Sequence, residues 1–474
     1  MAARILHGDA LSRLKTLPSD SVQCVVTSPP YWALRKYDIP DIVFDGDPTC
    51  EHEWGEEVVH HQDGGSGGAS SRQVRNNGSQ ESKGATVCAV CGAWRGQLGQ
   101  EPTPQLFIRH LVDIFREVRR VLRPDGTCWL NIGDCYANAD KGGYQCSRVT
   151  AEDSLQRSNL SSDFVGAPIR RPQGGLKNKD LVGIPWMLAF ALRDDGWYLR
   201  AENIWAKGLS FCPSYAGSVM PESVTDRPTR SHEQVFLLTK NERYFYDHEA
   251  VKEKGVYPDG TRAAKGSGTR EGNRRAPPKQ AGHGRRHEGF NERCFAPDED
   301  GYATYDGKRN LRTVWAIGVE AFSEAHFATF APDLVDPCLR AGTSQEGACA
   351  SCGAPWERIV EYAPMPAEIT AQFEAARQAT ADDHGREDGF TTRRPNYVRK
   401  RLCERWEPTC RCQTTEVVPC VVLDPFAGSG TVGLVTERMG LRFIGIELGA
   451  SYVAMAERRV GDVVPLFNSP ADTL

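Results

Sequence analysis

No stretch of this chain approaches the roughly 18 to 20 consecutive apolar residues that a membrane-spanning helix needs. Its N-terminus carries Arg4, His7 and Asp9 where a secretory leader would need a continuous apolar core. These absences argue against a membrane or exported protein, and the expected compartment is the cytoplasm. Positive charge is also not in excess: 57 Lys and Arg face 62 Asp and Glu, a net charge of -5. Such a balance gives no global attraction to nucleic acid, so any nucleic-acid surface must be local. The 40% hydrophobic and 25% charged contents are ordinary, and 474 residues permit two or three domains. Cysteine, by contrast, is abundant: sixteen are many for a reducing compartment, where disulfides are rare.

Eight of those cysteine and histidine positions fall into two sets. Cys50 and His52 precede Cys88 and Cys91; Cys349 and Cys352 precede Cys410 and Cys412. The sets share their flanks in permuted order, with Pro-Thr-Cys at 48–50 and 408–410 and Cys-x-x-Cys-Gly-Ala at 88–93 and 349–354. Cys-x-x-Cys turns let two thiolates converge on one ion, and four soft or borderline donors per set suit tetrahedral, structural Zn2+. Redox-active thiols are the competing reading. Between the ligand pairs, Gly64 to Ser71 and Asn76 to Ser79 have a flexible tether's composition.

The remainder alternates strands and helices. A strand at Ile5, a helix pattern through Leu11, Leu14 and Leu17, and the β-branched run Val22 to Val26 open the chain. A helix from Gln105 to Leu122, a strand from Thr127 to Ile132, a helix from Leu181 to Asp194, and strands at Tyr198 to Ala206 and Gln234 to Thr239 follow. Apolar periodicity vanishes between Val251 and Arg309. There Arg262, Lys265, Arg270, Arg274, Arg275, Lys279, Arg285, Arg286 and Arg293 outnumber the acids, which suits either contact with DNA phosphates or a solvated linker.

Two turns carry the chemistry. Thr27-Ser28-Pro29-Pro30-Tyr31-Trp32 follows the buried strand Val22 to Val26. Its prolines remove two donors and fix two φ angles, leaving the Ser28 hydroxyl and nearby carbonyls as acceptors, while Tyr31 offers a flat ring on which a heterocycle could stack. Near the other end, Val421-Val422-Leu423-Asp424-Pro425-Phe426-Ala427-Gly428-Ser429-Gly430-Thr431 runs a strand into a glycine turn and a helix. Phe443 to Glu447 is a second strand ending in an acid suited to ribose hydroxyls. No Lys follows the glycines, so the turn is not a P-loop. Asp9 stands at the end of the first strand, where a helix N-cap is an equal reading.

Ser-Pro-Pro-Tyr after a buried strand and Asp-Pro-Phe-x-Gly-Ser-Gly-Thr resemble the two motifs of the DNA amino-methyltransferases. Catalytic motif first and cofactor motif last is the order of their permuted β class. The resemblance implies an α/β fold: a Rossmann-like S-adenosylmethionine-dependent methyltransferase sheet, circularly permuted, with two small zinc-binding insertions. It implies a division into 1–44 with the catalytic motif, 45–98 a zinc-binding insertion, and 99–250 the continued methyltransferase domain. Then follow 251–312, a DNA-contacting segment; 313–345, a cofactor-pocket segment; 346–415, the second zinc-binding insertion; and 416–474, the S-adenosylmethionine-binding part. Ser28, Pro29, Pro30 and Tyr31 become catalytic. Asp9, Phe330, Asp424, Phe426, Gly428, Gly430, Thr431 and Glu447 become cofactor-binding. Ser in the first motif position is found most often with cytosine N4, so the implied reaction is N4 methylation of a cytosine flipped out of double-stranded DNA, with adenine N6 as the close alternative. An inactive zinc-stabilised DNA-binding protein is the alternative of another class. A cognate restriction endonuclease is a partner the resemblance allows.

Overall fold

The computed structural model describes residues 4–33, 37–56, 84–137, 176–254 apart from 213, 216, 218, 220, 221 and 223, then 308–319, 331–362, 367, 370, 371, 374 and 401–461. The Gly/Ser tether, the basic residues 262–293 and Phe330 lie outside the described residues. The backbone divides into two compact units. One comprises Met1–Tyr244, Thr313–Leu339 and Cys420–Leu474, the other Phe245–Arg312 and Arg340–Pro419. The cysteine-rich segment 45–98 thus belongs to the first unit, whereas 346–415 falls in the second.

The first unit is built on an eight-stranded sheet. Its strands are β1 (Arg4–His7), β2 (Val22–Thr27), β3 (Leu122–Ile132), β4 (Tyr198–Ala206), β5 (His232–Thr239), β6 (Val314–Ala316), β7 (Val421–Asp424) and β8 (Arg442–Glu447). They lie in the order β1-β8-β7-β2-β3-β5-β4-β6. Only β5 opposes its neighbours β3 and β4; every other pairing is parallel. Every residue of β2 is buried, as a central parallel strand covered on both faces requires, which is why Val22–Thr27 carries no alternation. β7 pairs with β2 through Val422 and Cys24, and with β8 from Val421–Arg442 to Asp424–Gly445. The residues following β1, β2, β7 and β8 therefore share one carboxyl edge.

The helix α1 (Ala10–Lys15) begins at the Asp9 cap, α2 (Pro104–Val121) at a Thr103 cap, and α3 (Ile184–Asp194) follows Gly183. In α2 the apolar residues Phe107, Ile108, Leu111, Val112, Ile114, Phe115, Val118 and Val121 recur every three or four positions and are buried, with Leu111, Phe115 and Val118 wholly inaccessible. α4 (Pro332–Gly342), α5 (Thr431–Arg438) and α6 (Ala450–Gly461) complete the described helices. Among the described residues no helix is long and apolar enough to cross a membrane.

Three local expectations differ. β3 starts at Leu122 rather than Thr127: it absorbs Pro124-Asp125-Gly126, expected as the break after the helix, in a bulge between the Val22–Leu122 and Cys24–Thr127 pairs. α3 starts at Ile184 rather than Leu181, because Leu181 is spent on a bridge to Tyr136 and Gly183 turns the chain at φ 85°. β5 starts two residues earlier, at His232, and so includes Glu233.

Around the first cysteine set, Ile42–Phe44, Trp94–Gly96, Gly84–Cys88 and Trp54–Glu56 form a four-stranded sheet in that order. In the second unit, Trp356–Tyr362 and Arg401–Pro408 pair antiparallel, as do Ala348–Cys349 and Val417–Val418.

Candidate active site

A cavity of about 390 Å³ lies at the carboxyl edge of the sheet, bounded by the turns after β1, β2, β7 and β8. This is where open α/β sheets bind ligands, and the volume lies in the range of small-molecule pockets. Of the sequence-derived candidates, Asp9, Ser28, Pro29, Pro30, Tyr31, Asp424, Phe426, Gly428, Thr431 and Glu447 all line it.

The glycine turn forms one wall. Gly428 sits at φ 52°, and a Cβ there would meet nothing closer than the Phe426 carbonyl at 3.9 Å, so that face is open to a ligand. Gly430, the N-cap of α5 at φ 78°, packs the other way: a Cβ would stand 3.0 Å from Ala456 Cβ. Glu447 holds the turn by accepting from Gly428 N at 2.9 Å and Gly449 N at 2.7 Å. Burial raises its pKa, opposed by those N–H groups. Each carboxylate oxygen retains acceptor capacity. Asp424 is deeper. Its Oδ1 accepts from Thr27 Oγ1 at 2.7 Å and Phe426 N at 3.0 Å, tying β7 to β2, and burial pushes its pKa up to about 7. Asp9 is a helix N-cap, accepting from Ser12 N at 2.9 Å, and also a cavity wall, so its two readings coexist.

One clamp here had no signal in the sequence. Arg459 of α6 donates to Ser429 Oγ at 2.9 Å and Thr431 Oγ1 at 2.8 Å, so the Thr431 hydroxyl is held from the side of the helix.

The Ser28–Tyr31 turn forms another part of the lining, and next to it lies a polar cluster drawn from three other strands. Tyr31 Oη donates to Glu233 Oε2 at 2.6 Å. Asn131 Nδ2 lies 2.7 Å from Tyr31 Oη, 3.0 Å from Glu233 Oε2 and 3.4 Å from Ser28 Oγ, and Ser28 Oγ lies 3.4 Å from Tyr31 Oη. Lys207, at the end of β4 and above the Trp205 ring, pairs with Glu233 Oε1. Burial works to raise the Glu233 pKa, but Lys207 and the hydrogen bonds from Tyr31 and Asn131 outweigh it and hold the carboxyl below its ordinary value. Burial and the Glu233 charge push the Tyr31 phenol well above its own. Tyr31 thus has a hydroxyl role that its sequence context did not reveal. Its ring edge rests where any side chain at Gly133 would stand, 2.5 Å from a Cβ there.

A strand-end serine turn and a glycine turn lining one cavity narrow the comparison with known proteins. The model of the DNA methylase family matches residues 22–458, most of the chain. The chain belongs to the DNA methylase family. Among curated relatives, the methylase is 31% identical over 456 residues to the type II methyltransferase M.XycI of Xanthomonas campestris pv. cyanopsidis, covering 96% of this chain and 87% of that one. It is 31% identical over 458 residues to the type II methyltransferase M.Cfr9I of Citrobacter freundii, covering 97% and 87%. A Thermus thermophilus protein solved with S-adenosyl-L-methionine and described as a putative DNA modification methylase aligns over 98% of this chain and 96% of its own, with TM-score 0.38 and 16% identity.

The methylase anchors its serine turn from below. Trp32 Nε1 donates to the Glu101 carbonyl at 3.0 Å, and Glu101 Oε2 accepts from Gly99 N at 2.8 Å. Glu101 Oε1 and Asp45 Oδ2 each lie 3.0 Å from a ring nitrogen of His110, which packs against both Phe44 and Trp94. The root of the cysteine-rich segment is therefore bolted to the turn that carries Ser28.

Both cysteine sets of the methylase come together. The donor atoms of Cys50, His52, Cys88 and Cys91, and those of Cys349, Cys352, Cys410 and Cys412, all lie within 4.8 Å of one another in their set. The Cys-x-x-Cys-Gly-Ala turns match: Cys88 N and Cys349 N each donate to the alanine carbonyl five residues on at 2.8 Å, with Gly92 at φ 75° and Gly353 at φ 71°. Burial pushes the Cys88 thiol up, yet the N–H groups of Cys91 and Val90 and the His52 ring bring it down to about 6. The Cys352 N–H, against burial, brings Cys349 to about 7. Three thiols with an imidazole, and four thiols, are donor sets that fit a four-coordinate closed site.

Proposed function

We propose that this methylase transfers a methyl group from S-adenosylmethionine to the exocyclic N4 amine of a cytosine flipped out of duplex DNA. The observation that carries the reading is that Ser28 lines the same cavity as Gly428 and Glu447. The open face of Gly428, the Glu447 carboxylate, Asp9 and Phe426 would hold the cofactor, with Phe330 on the segment leading into β7. S-adenosylmethionine, when bound, supplies an electrophilic methyl group. Ser28 Oγ and the Pro29 carbonyl accept the amine hydrogens of the base. That grip favours a tetrahedral nitrogen whose lone pair is directed away from the ring, so orientation and electrostatics replace a covalent intermediate. The Tyr31 ring is the stacking platform.

The chain order supports reading the sheet as circularly permuted: the strands that carry the cofactor turn, β7 and β8, come last in sequence yet lie between β1 and β2. The two cysteine sets are proposed as structural Zn2+ sites, and 251–312 as the DNA-contacting segment, with a cognate restriction endonuclease as the partner of the modification. Incubating the protein with unmethylated duplex DNA and labelled S-adenosylmethionine, then identifying labelled nucleosides by mass spectrometry, tests the reading. N4-methylcytosine is expected; N6-methyladenine would overturn the choice of base, and cofactor binding without transfer would move the protein to a DNA-binding role.

A further inference from the structure

The proton inventory behind Ser28 deepens the proposed amine transfer and rests on it. An ionised carboxylate only accepts, so the single phenolic proton of Tyr31 is committed to Glu233 Oε2 at 2.6 Å. Tyr31 Oη can then only accept from its other neighbours, Asn131 Nδ2 at 2.7 Å and Ser28 Oγ at 3.4 Å. The one proton of Ser28 turns back toward Tyr31, one lone pair lies toward Asn131 Nδ2 at 3.4 Å, and the other remains for whatever enters the cavity. Asn131 is fixed by the same logic. Three oxygens surround its Nδ2, which sets the amide orientation and leaves Oδ1 buried without a hydrogen-bond partner. Asn131 is 1% exposed and, like Ser28, lines the cavity.

We propose that Glu233 is a positioning residue that sets the hydrogen-bond polarity of the site: by holding Tyr31 as a donor to itself it makes Ser28 an obligate acceptor. A site of that polarity takes a base edge that presents an amine and rejects one that presents a carbonyl oxygen. It therefore separates cytosine from uracil or thymine by the direction of hydrogen bonds, apart from any contact that reads the surrounding sequence.

Glu233→Gln tests this with almost no change of shape. Lys207 needs an acceptor and keeps the amide oxygen, so the new NH2 donates to Tyr31 Oη. The phenolic proton then swings to Ser28, and the Ser28 proton points into the cavity against the amine hydrogens. Expected is a fall in kcat of about 10²-fold, with cofactor affinity and Tm close to wild type, while Glu233→Asp, which keeps a carboxylate, retains most activity. In a Tyr31→Phe background the relay is already cut, so adding Glu233→Gln should change kcat by less than about threefold, the non-additivity expected of one connected unit. A Glu233→Gln enzyme with wild-type kcat, or losses that multiply in the double variant, would overturn the inference. Should Glu233→Gln fail to bind cofactor, Tyr31→Phe decides: a loss of about tenfold or more in kcat with cofactor binding kept supports the inference, and unchanged kcat overturns it. If the unaltered protein moves no methyl group to DNA, the reading beneath fails and takes this one with it. Transfer by the unaltered protein at a rate matched by Glu233→Gln overturns this inference alone.

Discussion

Asp424→Asn should make the folded protein more stable at alkaline pH. Asp424 is 4% exposed, its Oδ1 is engaged by Thr27 Oγ1 and Phe426 N, and burial lifts its pKa from 3.8 to about 7. Because the folded value lies above the unfolded one, the favourable contribution of the protonated form is fully present below about pH 4. It fades as pH rises and is gone above about pH 7. Fully ionised, the buried carboxylate costs up to about 4 kcal/mol relative to a neutral group, at about 1.4 kcal/mol per pH unit of displacement. Asparagine keeps a carbonyl acceptor for Thr27 and Phe426 and carries no charge. Urea unfolding at pH 4.5, 7 and 8.5 should show an advantage for the variant that grows from about 1 kcal/mol to about 2–4 kcal/mol. Parallel pH profiles for the two proteins, or a variant less stable at pH 8.5, would refute the assignment of the cost to Asp424.

Four further outcomes follow from the same geometry. Glu447→Gln replaces one acceptor of a backbone N–H by an NH2 group, so cofactor affinity measured by calorimetry should fall about 10- to 100-fold. Gly430→Ala asks a residue with a Cβ to hold φ 78° against Ala456, and should cost about 1–3 kcal/mol in thermal or urea unfolding. Gly133→Ala places a Cβ where the Tyr31 ring lies, and should lower kcat while leaving cofactor Kd within about threefold, which separates the serine turn from the glycine turn. Cys88→Ser and Cys352→Ser should each remove one of two equivalents of zinc by elemental analysis, with a measurable fall in thermal stability.

Both turns of the site could be read in the sequence because each couples a strand's composition to residues with a fixed backbone effect: two prolines after Val22–Thr27, two glycines after Val421–Asp424. The cysteine sets were legible through spacing and shared flanks. Asn131, Lys207 and Glu233 were not. They lie about 100 to 200 positions from Tyr31 in sequence and meet it only because β3, β5 and β4 lie side by side. Nothing local marks Glu233 as different from any surface acid. Arg459 was hidden similarly, as one of two basic residues in the last turn of α6. α4 escaped notice because Pro337 stands inside it, a residue that ordinarily ends a helical pattern. Asp9 was ambiguous for a physical reason: the group that caps α1 is the same one that faces the cavity.

The strand order has a consequence for how the protein comes off the ribosome. Among the described residues β1 pairs with no strand but β8, and β2 reaches β7 on that side, so the two strands that come first in this sequence are separated in space by the two that come last. Until residues 421–447 have emerged, β1 lacks the strand it pairs with among the described residues, one margin of β2 is bare, and the two turns that line the cavity cannot meet. The sheet therefore cannot grow from its first strand outward as synthesis proceeds; its middle is filled last. A nascent chain in this state leaves an apolar strand edge unpaired, a template for pairing with other chains, until the strand before the glycine turn arrives to close the gap.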